Sequence, residues 1–536
     1  MWHRLTPLAK GCICVVILGC AVAGVYFTGL LDGVIGGNGY GNGNQTEIVQ
    51  QVNNNNPTTT PNPNINIAPT VDTLRISLDE WVGWKPLLDA NGGLTTQPGS
   101  IYYDMGLDVE FVIVNDADIS SSLLITGGIY GAGYTINRYA FLFDQFVNNG
   151  INPVYIFTLY TSSGGDGVVA RQEFTSVESL YYGNARIGVA RFSESMTLVD
   201  WLINQSSLTP PQRQTVKDNL IMFDTPDEAA IAFFAGRLDA AATWQPYLFQ
   251  AQESPGTHLL FDTRHATNLI PGGLVFDYGF VQSNEASLVL LVQGAIQAYE
   301  TYLSDMAAIR RAMPMFSLES DGNIREMAAD ATLFTARDMI DHMQGPAQSL
   351  FAHMSDIWAA RGESANRDNA EIAFTDRIVR QLDVRAVSDV EEGVLVAAPV
   401  FTAEDRETVE EQREQIAALI TMRADIRFEP NTAIILEESI PEIERFFQAA
   451  QLLDGAIMVI EGNIANVSGH EENTPAGLAL SFERAQMVAR QLQLRGIDPN
   501  RFVIVGNGIS NQIGDNATEE GRILNRRTDI SFVILE

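Results

Sequence analysis

Eight residues in the middle of the chain combine carboxylates, hydroxyls and indole rings in a pattern that could hold a small molecule. They follow predicted strands, occupy a Gly-rich loop or precede a predicted helix. Ligands of open α/β sheets bind beyond the carboxyl ends of the strands, a helix N-terminus with hydroxyls favours an anion, and aromatic rings enclose the apolar part of a ligand. The predicted ligand-binding residues are Trp81, Trp84, Asp166, Ser193, Ser195, Thr243, Trp244 and Asp277.

Ordinary structural roles compete with these binding roles. Trp84 and Trp244 could be core aromatics, the two serines could form a plain helix N-cap, and Asp166 could be a turn residue. Glu194 lies between the serines, and a carboxylate at that place disfavours a small anion. A cationic ligand, a zwitterionic ligand and no small ligand at all therefore stay open.

The elements that must position these residues alternate along the chain. Strand-like and helix-like segments follow one another from Asp72 to about Leu382, which predicts an α/β architecture with a mostly parallel sheet in two successive lobes. A charged amphipathic helix is predicted over Glu404–Ile420. From Ile426 the order is β-α-β-α-β, with a closing edge strand predicted over Thr528–Leu535.

The middle of the chain resembles the nitrate/taurine/sulfonate group of periplasmic solute-binding proteins. The runs that carry the resemblance, in the family's order, are Leu74–Leu78, Trp81–Leu87, Gly106–Glu110, Gly165–Arg171, Ile187–Val189, Ser193–Met196, Phe234–Ala241 and Thr243–Tyr247. The resemblance implies a bilobed periplasmic-binding-protein-like domain over residues 72–386 that binds a small organic solute between its lobes.

The C-terminal part resembles the OmpA-like domain, the module with which bacteria hold peptidoglycan. Three runs carry this resemblance, namely Leu480–Ala485, Arg495–Asp498 and Gly521–Arg527. It implies a small α/β domain over residues 426–536 that associates with the cell wall.

The same resemblance implies a peptidoglycan site made of an Asp, which takes the ammonium of diaminopimelate, and an Arg, which takes the carboxylate as a fork. Arg484 matches that Arg, and Asn525 and Arg527 match the family's closing triplet, whereas the Asp position holds Ala465. The loop before the helix is longer than usual, and its Glu471 or Glu472 could replace the missing acid. Arg526 and Arg527 could equally be surface residues that form salt bridges, and Arg484 could simply cap or solvate its helix.

The N-terminal end predicts a membrane anchor. The uncharged apolar run over residues 11–31 is long enough to span a bilayer, and basic residues precede it, which places residues 1–10 in the cytoplasm and the rest in the periplasm. A lipoprotein signal ending at Cys20 and a cleaved signal peptide are the alternatives. Residues 32–71, rich in Gly, Asn, Pro and Thr, are predicted to be a flexible linker, and residues 387–425 a connector with the charged helix.

Composition and motifs narrow the possible functions further. The net charge of −33 disfavours nucleic acid as a partner. The six histidines have no metal-ligand spacing, and the sequence has no Walker A loop, nucleophile elbow or dinucleotide fingerprint, so we expect no enzyme activity and no cofactor. A flagellar stator subunit would need an ionisable residue in the span, which residues 11–31 lack.

The sequence therefore predicts a membrane-anchored periplasmic protein that binds a small solute and associates with peptidoglycan. The alternative is a structural or assembly scaffold of the envelope, in which both domains contact other envelope proteins and bind neither a small ligand nor peptidoglycan.

Overall fold

The computed structural model describes residues 72–317, 319–385, 390, 394–396, 401–412, 416, 418–424, 426–429, 431–467 and 472–534. The predicted span over residues 11–31, the predicted linker over residues 32–71 and Glu471 lie outside the described residues. Within the described part of the chain, no helix combines the length and the apolar character needed to cross a bilayer.

Strands and helices alternate through most of the described chain. The strands are β1 (Leu74–Leu78), β2 (Val109–Ile113), β3 (Gly131–Thr135), β4 (Pro153–Ser162), β5 (Asp166–Arg171), β6 (Ile187–Ala190), β7 (Leu220–Phe223), β8 (Ala240–Trp244), β9 (Thr257–Asp262), β10 (Pro271–Asp277), β11 (Ala331–Leu333), β12 (Ile420–Ala424), β13 (Ile457–Asn463), β14 (Phe502–Gly508) and β15 (Thr528–Val533). The helices of the first half are α1 (Lys85–Asn91), α2 (Ile101–Asp104), α3 (Ala117–Thr126), α4 (Ile136–Asn148), α5 (Val177–Tyr182), α6 (Glu194–Gln205), α7 (Pro210–Asp218), α8 (Pro226–Phe234) and α9 (Tyr247–Glu253). The remaining helices are α10 (Tyr278–Ser283), α11 (Glu285–Gln297), α12 (Ala307–Ala312), α13 (Asp321–Ala329), α14 (Ala336–His342), α15 (Pro346–Ala360), α16 (Ala403–Gln412), α17 (Ile440–Leu452), α18 (Pro475–Leu494) and α19 (Glu519–Asn525).

Lobe 1 is built on a six-stranded sheet with the order β11-β4-β10-β3-β1-β2. Strand β1 is parallel to β2 and β3, whereas β10 is antiparallel to both β3 and β4. The apolar residues of β1 and all ten residues of β4 are buried, because helices cover both faces of the sheet. The sheet is mixed, which corrects the prediction of a mostly parallel one.

Lobe 2 is built on a five-stranded sheet with the order β7-β6-β8-β5-β9. Strand β6 is parallel to β7 and β8, and β5 is antiparallel to β8 and β9. The chain enters this lobe between β4 and β5 and leaves it between β9 and β10. After the first crossing the chain forms β5 of the five-stranded sheet, and after the second crossing it forms β10 of the six-stranded sheet. Both strands are antiparallel to their neighbours.

The small domain is a four-stranded sheet with the order β12-β15-β13-β14. Helices α17 and α18 pack on one face, and Val409 of α16 lies in the apolar cluster on the other face. The last strand is antiparallel to both β12 and β13, so it is an inner strand and not the edge strand expected from the sequence. The sheet takes in residues 420–424, which the sequence analysis placed in the connector.

Candidate functional site

The space between the two lobes, called the interlobe cleft below, is occupied by aromatic rings. Trp81 follows β1 and stacks on Trp244, which ends β8 in the other lobe, with ring centroids 6.4 Å apart and an interplanar angle of 17°. Trp84 is fully buried and meets Tyr160 edge to face at 4.9 Å. The Trp84 indole donates a 2.5 Å hydrogen bond to Asp79. All three predicted indoles therefore pack against other side chains of the protein.

The cavity left in the cleft is too small for an organic solute. It measures about 10 Å³ and is lined by Trp81, Trp244, Gln245, Met315 and Phe316 among others. One water molecule needs roughly 10–15 Å³ on this measure. A Cβ atom built on Gly165, in the crossing from β4 to β5, would lie 2.3 Å from the Trp81 ring, so the ring reaches the backbone of the crossing.

The N-terminus of α6 carries the chain's own carboxylate, Glu194, which the sequence already indicated as disfavouring a small anion. Thr135 Oγ1 in lobe 1 donates a 2.5 Å hydrogen bond to Glu194, and an Arg138 guanidinium nitrogen lies 3.4 Å from the other carboxylate oxygen. Burial alone would raise the pKa of Glu194, but the charge of Arg138 and these hydrogen bonds outweigh it and lower the pKa. Glu194 therefore stays ionised and links the lobes.

Ser193 and Ser195 are both buried. Ser193 is the N-cap residue of α6, yet its hydroxyl donates to the Ala190 carbonyl at 2.6 Å and makes no capping hydrogen bond. Ser195 is 2% exposed. Neither hydroxyl borders the cavity between the lobes.

Two further carboxylates lie close to Glu194. Burial, opposed by a Ser162 hydrogen bond and assisted by the charges of Glu194 and Asp79, raises the pKa of Asp166 to about 7. Burial also raises the pKa of Asp79 to about 6. The cleft thus holds three acids that interact electrostatically with one another, an arrangement that repels anions.

Two of the predicted residues make local contacts. Thr243 donates to the Pro226 carbonyl at 3.2 Å. Asp277 caps α10 by accepting from the backbone N–H groups of Gly279 and Phe280, at 2.9 and 3.3 Å. Strand β10 begins at the crossing and ends at Asp277, which places this acid about 20 Å from the crossing. The structure does not bring Asp277 to the cleft.

Sequence reasoning missed most of the contacts that close the lobes, and several of them involve α6 or the short segment just before it. Asn137 donates to Thr197 at 3.0 Å, and Phe141 stacks on Phe192 with centroids 4.7 Å apart. Helix α6 is buried along nearly its whole length, between α15, α7 and β12.

The strongest of these missed contacts is an ion pair. Arg361, just after α15, forms a bidentate ion pair with Asp200, whose side chain is fully buried, with one N–O distance of 2.6 Å. Lys217 lies 4.0 Å from the same carboxylate. The sequence offered one signal for this ion pair, an aspartate inside the apolar run of α6, because a buried acid needs a partner.

In the small domain, Arg484 is directed at the protein itself. Its Nε donates to the Thr432 carbonyl at 3.0 Å, its guanidinium carbon lies 4.8 Å from the Phe428 ring centroid, and the residue is 8% exposed. Burial, followed by the charge of Arg526, lowers the pKa of Arg484. Ala465 is half-buried and supplies no acceptor side chain, and Glu472 is exposed.

The two residues of the closing triplet hold the fold of the small domain. The fully buried Asn525 side chain accepts from the N–H groups of Ile513 and Gly514 at 2.7 and 2.8 Å. Arg527 donates to Asp529 at 2.9 Å and to a backbone carbonyl. These bonds fix the loop after β14 against β15. The Arg484 site is defined here as Arg484, Asn525, Arg527 and the Ala465 position, and its binding role stays a prediction.

Among the residues that the structure describes, no group of three or more His, Cys, Asp or Glu side chains could hold a metal ion.

Comparison with known proteins identifies the small domain. Residues 427–526 match the model of the OmpA family, so the C-terminal part of the chain is an OmpA-family domain. A 123-residue stretch is 32% identical to outer membrane protein A of Bordetella avium, covering 23% of this chain and 61% of that protein. A 67-residue stretch is 40% identical to the peptidoglycan-binding protein ArfA of Mycobacterium tuberculosis, covering 12% of this chain and 21% of that protein. The chain thus spans less than two thirds of these relatives.

The bilobed region is similar to solved periplasmic binding proteins. The alkanesulfonate-binding protein SsuA from Xanthomonas axonopodis pv. citri, bound to MOPS, is 16% identical with a TM-score of 0.44, covering 58% of this chain and 99% of that one. The nitrate-binding protein NrtA from Synechocystis PCC 6803 is 13% identical with a TM-score of 0.46, covering 59% of this chain and 89% of that one. With TM-scores below 0.5, the ligands of those proteins are not carried over.

Proposed function

We propose that this chain is a cell-envelope protein that associates with peptidoglycan through its OmpA-family domain and uses its bilobed domain as a closed scaffold for contacts with other envelope proteins. The observation that carries the scaffold role is the filled interlobe cleft, with a cavity of about 10 Å³. Pockets that enclose small organic ligands measure roughly 300–1,000 Å³.

Opening the cleft would break several contacts at once. The Trp81–Trp244 stack, the hydrogen bond from Thr135 to Glu194 and the ion pair between Arg361 and Asp200 all join the lobes. Each of these contacts would have to be replaced by contacts with water or with a solute, which supports a domain that stays closed.

Calorimetry tests the scaffold role directly. The probes are taurine, MOPS and nitrate as anions, lysine as a zwitterion with a free amine, and putrescine as a cation. The proposal expects no saturable heat from any of them. Saturable heat with one site per chain, lost in Trp244→Ala, would contradict it.

A solute receptor is the second candidate, and the three carboxylates in the cleft favour one solute class for it. Asp79, Asp166 and Glu194 interact electrostatically with one another, and Arg138 faces only Asp79 and Glu194, so a cationic or zwitterionic solute would fit their charge. Heat from lysine or putrescine but not from taurine or nitrate is the outcome that selects this candidate.

Association with the cell wall is supported by the OmpA-family domain and by the similarity to a peptidoglycan-binding protein. Arg484 remains at the family's arginine position. Retention on purified sacculi, with Arg484→Ala compared with Arg490→Ala on the exposed face of the same helix, tests the assignment. We expect Arg484→Ala to reduce retention and Arg490→Ala to leave it unchanged. Equal retention of wild type and Arg484→Ala would remove Arg484 from the site.

The proposal includes anchoring in the inner membrane by residues 11–31, with the bulk of the chain in the periplasm. Its support is the charge-free apolar run preceded by basic residues. Mass spectrometry of the protein from membranes checks it. An intact N-terminus with no lipid on Cys20 is expected, and cleavage or diacylglycerol modification at Cys20 would replace the anchor by one of its alternatives.

A further inference from the structure

The two chain crossings between the lobes lie side by side and are tied together. Ser162 lies at the end of β4, and its hydroxyl is hydrogen-bonded to the Thr263 hydroxyl at 2.9 Å. The Gly164 N–H donates to the same Thr263 hydroxyl at 2.9 Å. The Ser162 N–H donates to the Ile270 carbonyl at 3.0 Å. Residues 263–270 are called the hinge segment, because a relative rotation of the lobes must change backbone angles at these crossings.

The OmpA-family domain contacts this hinge segment directly. One carboxylate oxygen of Asp454 accepts from Thr267 Oγ1 at 2.8 Å and from Asn268 Nδ2 at 3.1 Å. The Gln451 carbonyl accepts from the same Asn268 amide at 3.2 Å. Burial raises the pKa of Asp454, as expected for an acid covered by the hinge segment.

The turn that carries Asp454 is itself held firmly. Residues 453–456 follow α17 and are called the docking turn. Buried Arg501 donates to the carbonyls of Ala450, Leu453 and Ala456 at 2.9, 2.6 and 2.8 Å. These bonds satisfy the end of the helix and fix the turn to the strand that Arg501 precedes. Asp454 therefore moves with the whole small domain.

A second contact joins the same domain to lobe 2. Strand β12 packs against α6, the helix that carries Glu194 and Asp200. Burial, and next the positive charge of Arg445 on α17, lower the pKa of Arg213 on α7 to about 10, while Glu442 on α17 acts in the opposite direction. The small domain thus touches both the hinge segment and the helix that closes the lobes.

We propose that the OmpA-family domain clamps the hinge of the bilobed domain, so that undocking of the Asp454 turn is required before the lobes can separate. The coupling is reciprocal: a partner that pulls the small domain away loosens the lobes, and a partner that opens the lobes weakens the docking. The clamp concerns the contact between the two domains and stands whether or not the cleft or the wall site binds a ligand.

Hydrogen exchange of the full chain measures the clamp. Asp454→Ala removes the acceptor of both hinge hydrogen bonds, and Asp454→Asn keeps one oxygen that can accept them. Glu483→Ala, an exposed acid on α18 of the same domain, is the matched control. We expect about tenfold faster exchange in Asp454→Ala at the hinge segment and also at Trp81–Trp84 and the start of α6, which lie away from the mutated turn.

The positions at which hydrogen exchange becomes faster distinguish the clamp from a purely local contact. Faster exchange at the interlobe residues, restored by Asp454→Asn and absent in Glu483→Ala, supports the clamp. Faster exchange confined to the docking turn and the hinge segment overturns it, because the contact would then be a local one. Unchanged exchange everywhere overturns it as well. Should Asp454→Ala fail to fold, Thr267→Val and Asn268→Ala remove the same bonds from the other side.

Discussion

The interlobe cleft and the Arg484 site each have only some of the features that a binding site needs, and those features differ between the two. The cleft holds three carboxylates with altered pKa values, but its space is taken by Trp81 and Trp244. The Arg484 site has an arginine, but Ala465 stands at the position where the resemblance to the OmpA family implies an acid. Charged groups can therefore persist without room for a ligand, and a fold can persist without its full set of charges.

The largest effect is expected from breaking the ion pair that closes the lobes. Arg361→Met leaves the fully buried Asp200 with only Lys217 at 4.0 Å, so we expect the free energy of unfolding to fall by about 3–5 kcal/mol. Arg367→Met is the control, because its partner Asp356 is 47% exposed and such pairs contribute about 0–1 kcal/mol. Urea denaturation followed by circular dichroism measures both. Equal losses in the two variants would mean that the pair does not hold the closed form.

An acid placed at position 465 is expected to strengthen binding at the Arg484 site. Ala465→Asp places a carboxylate at the family position, and a charge-assisted hydrogen bond to an ammonium contributes about 1.5–3 kcal/mol. We therefore expect about 10–100-fold tighter retention on sacculi that contain diaminopimelate.

A control variant shows whether the gain depends on the charge of the new acid. Ala465→Asn, which adds an amide of the same size without charge, should give a smaller gain. Unchanged retention in Ala465→Asp would show that the Arg484 site lacks more than its acid.

The carboxylate at the start of α6 is expected to contribute less than the Arg361 pair. Glu194→Gln keeps an acceptor for Thr135 but loses the charge that faces Arg138, so we expect a loss of about 1 kcal/mol in the free energy of unfolding. Glu173→Gln, at an exposed position in lobe 2, should change nothing. A stabilised Glu194→Gln variant would mean that repulsion from the neighbouring acids outweighs Arg138.

Asp166 is expected to give the stability of the protein a pH dependence. Because the pKa of Asp166 is raised from 3.8 to about 7, the folded protein holds a proton between these values that the unfolded chain releases, so this residue's contribution to stability falls as pH rises through that window. His342 and His353, whose pKa values burial lowers to about 4, act in the opposite direction.

The difference between wild type and Asp166→Asn isolates the acid from the histidines. We expect the stability of wild type relative to Asp166→Asn to decline from pH 4 to pH 7 and to stay level above it. Thermal melts at half-unit pH steps measure this difference. Parallel curves across the range would mean that Asp166 titrates normally.

Local pattern was enough to locate many elements. Strand β1 coincides with the run Leu74–Leu78 that carries part of the resemblance. Helix α18 begins at Pro475, because Thr474 caps it and Pro is favoured in the first turn. The helix predicted over Glu404–Ile420 ends at Gln412.

Contacts between distant segments could not be read in the same way. The position of β15 inside its sheet depends on pairing with β12 and β13, which no local periodicity encodes. The partner of Asp200 is 161 residues away in the sequence. Trp81 and Trp244 were correctly placed at strand ends, but their contact with each other, which decides whether a ligand fits, exists only in three dimensions.

The distance between the lobes in solution tests the central claim most directly. Spin labels at Tyr103→Cys in lobe 1 and Tyr182→Cys in lobe 2, both on exposed positions, report it when Cys12, Cys14 and Cys20 are replaced by Ser. A scaffold that stays closed predicts one narrow distance distribution, unchanged by taurine, MOPS, nitrate, lysine or putrescine. A second, longer distance in the free protein that disappears when one of these solutes is added would contradict the account.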